Sequence, residues 1–302
     1  MSFAAWIDAS LGSGIARHFM KPYNEKLWTV PLEELTCDWM GRFVPSTSLE
    51  CILNGALADQ SSNAGYNATF SYPLRGGIEA LPRAFAAGLA NVHTNCELVR
   101  LDVAAKQLHF KNGQKACFDR LVTTMPLPAL IRSVSDVPGV VREAAQQLRY
   151  TSVCNINLGI NRNVTDKHWI YFPEPEYCFY RAGFSHNVSP NQAPEGCSAI
   201  YVEVGYSDWK PLNRSGLVEQ VKTGLVQTGL LTPDDRILAE LCLEIPCAYV
   251  IYDRHHRPCS EIVRTYLREN GIVSIGRYGA WEYSGMEDAI WQGRLAAEEI
   301  MG

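Results

Sequence analysis

Apolar positions near the start of the chain recur at helical spacing. Phe3, Trp6, Ile7 and Leu11 share one face, so residues 3–20 are expected to be helical. Gly12 and Gly14 interrupt the pattern before it resumes at Ile15. Pro22-Tyr23-Asn24 and Val30-Pro31 read as breaks flanking a short Lys26–Trp28 piece, and Leu32–Trp39 reads as a short helix. Residues 46–71 are rich in Ser, Asn and Gly without a period, and are expected to form a mobile loop. After Tyr72–Gly77 the helical pattern returns at Ile78–Leu89.

Strand-like alternation then takes over. Glu97–Leu101, Gln107–Phe110 and Asp119–Thr124 are expected to form a three-stranded meander, with a hairpin turn at Asn112-Gly113. Leu127–Val134 and Val140–Leu148 read as helices. Tyr150–Gly159, Trp169–Phe172, Cys178–Arg181 and Ala199–Val204 read as strands of an antiparallel sheet, with a polar loop over 184–197. Gly216–Leu230 is expected to be a helix, Ile237–Tyr252 an extended run broken at Pro246, and Ser260–Glu269 a helix.

The last thirty residues have the densest signals. Ile272–Ile275 reads as a buried strand closed by Gly276. A loop with Gly279, Gly285, Tyr278, Trp281 and Tyr283 follows. Ser284 and Glu287 have capping-box spacing, so a helix is expected from about Gly285, with Ala289, Ile290, Leu295, Ala296 and Ile300 on its apolar face. Such a strand, loop and helix aims free N–H groups and the positive end of a helix dipole at a crevice. A phosphate suits that place. So does the N1/C2=O edge of a flavin, which gains negative charge on reduction.

Composition narrows the function classes. The 302 residues are 47% hydrophobic and 20% charged, with a formal net charge of −5, which gives no reason to expect nucleic acid or an anionic membrane. No apolar run is long enough for a membrane span, and the N-terminus lacks the pattern of a secretory signal, so the cytoplasm is the expected compartment. The ten cysteines are scattered without CxxC spacing and are expected to be reduced and mostly buried. No metal site is expected, because His255, His256 and Cys259 lack a fourth ligand at a usual spacing.

The segment GRYGAWEYSGMEDAIWQGRLAAEEI resembles the C-terminal flavin-binding segment of the FAD-dependent amine oxidase and protoporphyrinogen oxidase-like superfamily, to which UDP-galactopyranose mutases are related. The stretch PYNEKLWTVPLEEL, Tyr72–Gly77 with its helix, the meander and Tyr249–Asp253 resemble that family in the same order. The resemblance implies an α/β (α+β) fold: a partial FAD-binding domain of the amine oxidase type beside an antiparallel-sheet substrate domain. It divides the chain into a helical substrate-domain part (1–71), a FAD-domain meander (72–135), the antiparallel substrate domain (136–268) and the C-terminal flavin-binding unit (269–302). Carried over by position, FAD contacts fall on Leu98 near the adenine and on Gly276, Arg277, Ser284, Gly285 and Met286 at the ring. Tyr249, Tyr252, Trp281 and Tyr283 line the substrate side. No catalytic acid or base is identified, since in such enzymes the flavin itself takes the hydride.

One family feature is absent. The opening βαβ unit with GxGxxG has no counterpart, and Gly12-Ser13-Gly14 is rejected as one because no strand precedes it and Arg17 stands at the third glycine. The chain alone is therefore expected to hold FAD poorly, and a separate chain carrying the GxGxxG domain is a candidate partner beside the small-molecule substrate. Three functions follow: an FAD-dependent oxidoreductase in truncated or split form, a mutase-like flavoenzyme using Arg181 and Arg277 for a diphosphate, and a non-catalytic binding module.

Overall fold

The computed structural model describes residues 1–41, 43–44, 48–57 and 69–301. The chain opens with α1 (Phe3–Ile15), whose turn is broken at Gly12 by a φ of 75°. A π-turn over Ala16–Met20 joins it directly to α2 (Lys21–Trp28). Pro22, expected to break the chain, instead sits in the first turn of α2 directly after the π-turn, whose widened backbone precedes it. The helix expected over Leu32–Trp39 does not form. Its backbone groups bond elsewhere: Leu35 and Leu32 carbonyls accept from Phe3 and Ala4, and the Thr36 amide donates to the Tyr252 carbonyl at 2.7 Å. The loop expected over 46–71 contains a helix, α3 (Leu49–Leu57); residues 45–47 and 58–68 lie outside the described residues.

After α4 (Ala80–Ala87) come β1 (Leu98–Asp102), β2 (Gln107–Phe110) and β3 (Lys115–Cys117), an antiparallel meander with the expected turn. The strand expected to complete it does something else. β4 (Leu121–Thr123) leaves the meander and pairs in parallel with β10 (Ile272–Ser274), some 150 residues later. Helices α5 (Leu127–Ser133) and α6 (Gly139–Gln147) follow and pack with α9 (His256–Glu269), β10 and Trp281 into one core.

The larger sheet has the order β6-β7-β8-β5-β9. Its strands are β5 (Tyr150–Ile160), β6 (Trp169–Tyr171), β7 (Arg181–Phe184), β8 (Ser198–Tyr206) and β9 (Ile237–Val250). β7 begins where the sequence pattern had it end, and a one-turn helix, α7 (Ser185–Val188), follows it. Pro246 does not break β9; it sits on an edge strand at a bulge, where a missing N–H is tolerated. One sheet face carries Cys154, Ile156, Ala182, Phe184, Val202 and Val204, and buries them under α8 (Leu217–Gln227). A third core joins α1 and α2 to residues 30–40.

The chain closes with α10 (Met286–Met301). Ser284 does not form the expected capping box. The Gly285 amide donates to the Asp288 carboxylate at 2.7 Å, so the helix is capped from inside its first turn. The expected apolar face is largely accessible: Ala296 is buried, while Ile290 and Leu295 are about half accessible. All ten cysteines are free thiols, as expected, but only Cys154 and Cys259 are buried, and Cys51, Cys117 and Cys242 are exposed.

Candidate functional site

The second face of the five-stranded sheet is polar. Strand register aligns Tyr171, Arg181, Glu203, Asn155 and Leu243 in one row across all five strands. A neighbouring row holds Trp169, Gly183, Tyr201, Asn157 and Leu241. Gly183 lets the Tyr201 ring rest directly over the strand; a β-carbon there would push the ring aside. Arg181 donates from Nε to Glu203 at 2.7 Å, and its Nη2 lies 2.6 Å from the same carboxylate oxygen.

Two other segments close on this face. From α2, Tyr23 meets Tyr171 at 4.8 Å and Tyr180 at 6.0 Å between ring centroids. From the loop after β10, Tyr283 stacks on Tyr249 at 5.9 Å and meets Phe43 edge-on at 4.4 Å. The Arg277 guanidinium lies between these rings, 5.0 Å from Tyr249 and 4.8 Å from Tyr283. It is also tied to the backbone, donating to the Ser284 carbonyl at 3.0 Å and the Ala248 carbonyl at 2.8 Å.

Electrostatics show that the cluster is one unit. Burial raises the pKa of Tyr23, Tyr180, Tyr201 and Tyr249, and raises that of Tyr283 to about 12. Arg181 and Arg277 both oppose that rise at Tyr249 and Tyr283, so their charges act on the same two phenols. At neutral pH the phenols stay protonated and can donate hydrogen bonds. The result is a cluster of phenol hydroxyls with two guanidinium groups beside them, one of them balanced by Glu203. It suits a ligand with anionic or strongly polar oxygens.

The residues singled out from sequence fall into four groups, of which one is the loop between β10 and α10, with Gly276, Ser284 and Gly285 in its backbone and Met286 opening α10. Tyr249, Tyr283 and Arg277 enter the cluster. Tyr252 and Trp281 lie beneath the loop: Trp281 is wholly buried in the core, and the Tyr252 hydroxyl accepts a bond from the Tyr283 amide at 2.6 Å. Leu98 sits apart on β1, packed against the same core as Trp281. Sequence reasoning missed Tyr23, Tyr171, Tyr180, Tyr201, Glu203 and Asn155. Their signal was weak: Tyr171, Tyr201, Glu203 and Asn155 are single aromatic or polar positions in strands that otherwise look apolar, while Tyr23 lies on α2 and Tyr180 just before β7. Among the described residues no cluster of His, Cys, Asp or Glu could hold a metal.

The loop from Gly276 to Met286 fits a flavin edge. It leaves the carboxyl end of the parallel pair β4–β10, the place where open α/β sheets bind ligands. Gly276 adopts a φ of +75°, with Thr124 at its side 3.6 Å from where a β-carbon would stand. Its amide donates to Gln292 at 2.6 Å, so that group is already engaged. Three buried side-chain atoms of this short stretch have no partner: Arg277 Nε, Trp281 Nε1 and Ser284 Oγ. Unpaired buried polar atoms are costly and rare; Trp281 Nε1 lies within the protein core, which leaves Arg277 Nε and Ser284 Oγ as the two that a bound polar ring would complete. The start of α10 is open, with Met286 half exposed.

His256 supports the loop from below. Its ring stacks on Tyr252 at 4.0 Å, and its Nε2 lies 2.7 Å from the Trp281 carbonyl, so Nε2 carries the hydrogen. Burial lowers its pKa from the usual value near 6.5, against the opposing pull of the Trp281 carbonyl and of Asp253 and Asp38. The fold therefore favours the neutral ring. Its stability contribution is complete above the unfolded-state pKa and is lost as pH falls through the lower folded-state value. Denaturant midpoints measured from about pH 8 down to pH 5 should fall for the natural chain, and fall less for His256→Gln. Equal slopes for the two proteins would remove His256 from that linkage.

Comparison with known proteins bears on the fold and the family. The model of the flavin-containing amine oxidoreductase family matches residues 4–301. A crystal structure of reduced UDP-galactopyranose mutase superposes with a TM-score of 0.92 at 29% identity, over 100% of this chain and 67% of that one. A putative protoporphyrinogen oxidase from Exiguobacterium sp. 255-15 matches with a TM-score of 0.74 at 14% identity, over 99% of this chain and 66% of that one. A fatty acid isomerase from P. acnes that produces CLA matches with a TM-score of 0.61 at 11% identity, over 99% of this chain and 66% of that one. The last two likenesses show the fold alone. The chain thus spans about two thirds of the length of the structures it matches. No helix among the described residues is long and apolar enough to cross a membrane. FAD is the cofactor for which this architecture is built, and the chain belongs to the flavin-containing amine oxidoreductase family.

Proposed function

We propose that this chain supplies the ring-facing loop and the substrate seat of an FAD-dependent oxidoreductase. Residues Gly276–Met286 face the flavin. The tyrosine–arginine cluster seats the substrate. When bound, the flavin supplies the hydride acceptor. The chain's own residues orient the substrate and screen its negative charge: Arg277 and Arg181 face the polar end, and Tyr23, Tyr180, Tyr249 and Tyr283 donate hydrogen bonds. The placing of Arg277 5.0 and 4.8 Å from the Tyr249 and Tyr283 rings, with Arg181 6.0 Å from the Tyr180 ring, carries the reading. The ADP half of FAD is assigned to a GxGxxG-bearing α/β body, on this or a separate chain. Parallel strands are normally covered on both faces. Val122, exposed on β4 of the parallel pair, and Met286, Ile290 and Leu295, exposed on α10, support that assignment.

A second reading is favoured by the same arginine pair. Two guanidinium groups on one sheet face suit a diphosphate, and the matched mutase structure is named for a sugar-nucleotide substrate. In that reading reduced flavin takes part with no net oxidation of substrate.

The first test is the absorbance of the purified chain with added FAD at about 350–500 nm, alone and with a GxGxxG-bearing partner. A flavin band retained through desalting is the expected result with the partner. Loss of the band in every combination would sink both enzyme readings and leave a binding module. Bleaching of a retained band by an amine or other reduced substrate supports the oxidoreductase. Turnover only after prior reduction, with product at the same oxidation level, supports the mutase.

A further inference from the structure

Trp281 has a φ of +58°, a left-handed conformation that a bulky side chain adopts only when its surroundings enforce it. The ring is completely buried and contacts Tyr150 edge-on at 6.2 Å. The two peptide units after it decide where the Tyr283 ring points and where α10 begins. Two hydrogen bonds to the backbone on either side of Glu282 enforce the conformation. The His256 Nε2 donates to the Trp281 carbonyl at 2.7 Å. The Tyr252 hydroxyl receives the Tyr283 amide at 2.6 Å. The two donor and acceptor side chains are themselves stacked, 4.0 Å apart at 25°. The stack is anchored at its base: the Asp253 carboxylate accepts the His255 and His256 amides at 2.9 and 3.0 Å and lies 3.4 Å from Arg149, while the Tyr252 carbonyl holds the Thr36 amide.

We infer that His256 and Tyr252 are positioning residues for the flavin-facing loop, one holding the carbonyl and the other the amide on either side of Glu282. Neither ring enters the tyrosine–arginine cluster. They act through Trp281 and Tyr283, whose backbone they fix. A second brace works from the opposite side: Gln292 on α10 accepts the Gly276 amide and donates to the Glu282 carboxylate. The loop is thus gripped at both ends and at its midpoint. Its unpaired atoms, Arg277 Nε and Ser284 Oγ, are presented without freedom to relax onto the protein. This inference rests on the loop being the flavin-facing one, and its test separates the two ideas.

Three variants of the full chain, together with a GxGxxG-bearing partner where FAD is titrated, make the test. His256→Phe keeps a ring on Tyr252 and loses the donor. His256→Gln restores a donor near the Nε2 position. Tyr252→Phe keeps the stack and removes the acceptor. Amide hydrogen exchange of residues 277–285 is expected to speed by about tenfold in His256→Phe and Tyr252→Phe, and to return toward the natural rate in His256→Gln, the size of effect that one ordinary hydrogen bond gives. FAD affinity, read from the flavin band, is expected to fall about tenfold in the first two variants and to be rescued by Gln. Natural exchange rates in both His256→Phe and Tyr252→Phe overturn the brace. Faster exchange with unchanged FAD affinity overturns its role toward the flavin. Faster exchange in a chain that takes up no FAD under any condition upholds the brace and instead overturns the flavin reading of the loop.

Discussion

Replacing Glu203 by alanine is expected to destabilise the chain by about 3 kcal/mol. Its carboxylate is nearly buried, with 11% of the side chain accessible, and so is most of Arg181, at 24%. Burial works against the Arg181 charge, and the Glu203 carboxylate with its hydrogen bond overcomes that and holds the guanidinium protonated. Removing only the carboxylate leaves an uncompensated cation between Tyr171 and Asn155 in the middle of the sheet. The estimate stands at the low end for a broken buried pair, because Arg181 is partly reachable by water. Replacing both partners, as Arg181→Met with Glu203→Met, should return stability to within about 1 kcal/mol of the natural chain. It should also abolish binding of any anionic substrate. Adding phosphate should stabilise Glu203→Ala more than the natural chain, since an anion can take the vacated place. A denaturant midpoint for Glu203→Ala equal to that of the natural chain would show that the pair contributes nothing to the fold, and the seat would have to be sought elsewhere.

That pair also marks the limit of what the sequence displayed. Alternation revealed β5 and β8, and the glycine and aromatic density of the last segment revealed the β10–loop–α10 unit with its family resemblance. Local pattern works there because each feature is built from neighbours in the chain. The row from Tyr171 to Leu243 is not. It exists only once four strand pairs take their register, and no window of sequence contains more than one or two of its members. β4 is a similar case. Its residues read as the last strand of a meander, yet their partner is β10, because parallel pairing demands a long crossover that local reasoning cannot see. The failed helix at Leu32–Trp39 shows tertiary contacts overriding propensity, since the backbone donors and acceptors it needed are used by α1 and Tyr252.

Gly205→Ala is expected to cost about 3 kcal/mol, although it adds a single methyl group. A β-carbon at this position of β8 would stand 2.4 Å from the Lys26 backbone oxygen and 3.1 Å from the Thr29 methyl. The obstacle is backbone, so no rotamer change relieves it. Nor can the end of α2 retreat. The Lys26 ammonium reaches past the sheet edge to the carbonyls of Phe172 at 2.8 Å and Phe179 at 3.2 Å, and also to that of Glu174. Thr151 donates to the Trp28 carbonyl at 2.6 Å, and Ser207 donates to that of Thr29 at 3.3 Å. These bonds clamp the last turn of α2 onto the sheet at the point where Gly205 lets it approach. The consequence for function follows from α2 carrying Tyr23. Any displacement of the helix moves that ring away from Tyr171 and Tyr180, so substrate affinity should fall together with stability. The sharper reading comes from Lys26→Met in combination with Gly205→Ala. Freed from its three carbonyls, the helix end can shift, and the penalty of the added methyl in that background should drop by about half. If the two substitutions are instead strictly additive, the clamp and the glycine act independently, and the close approach of α2 to β8 is not what positions Tyr23.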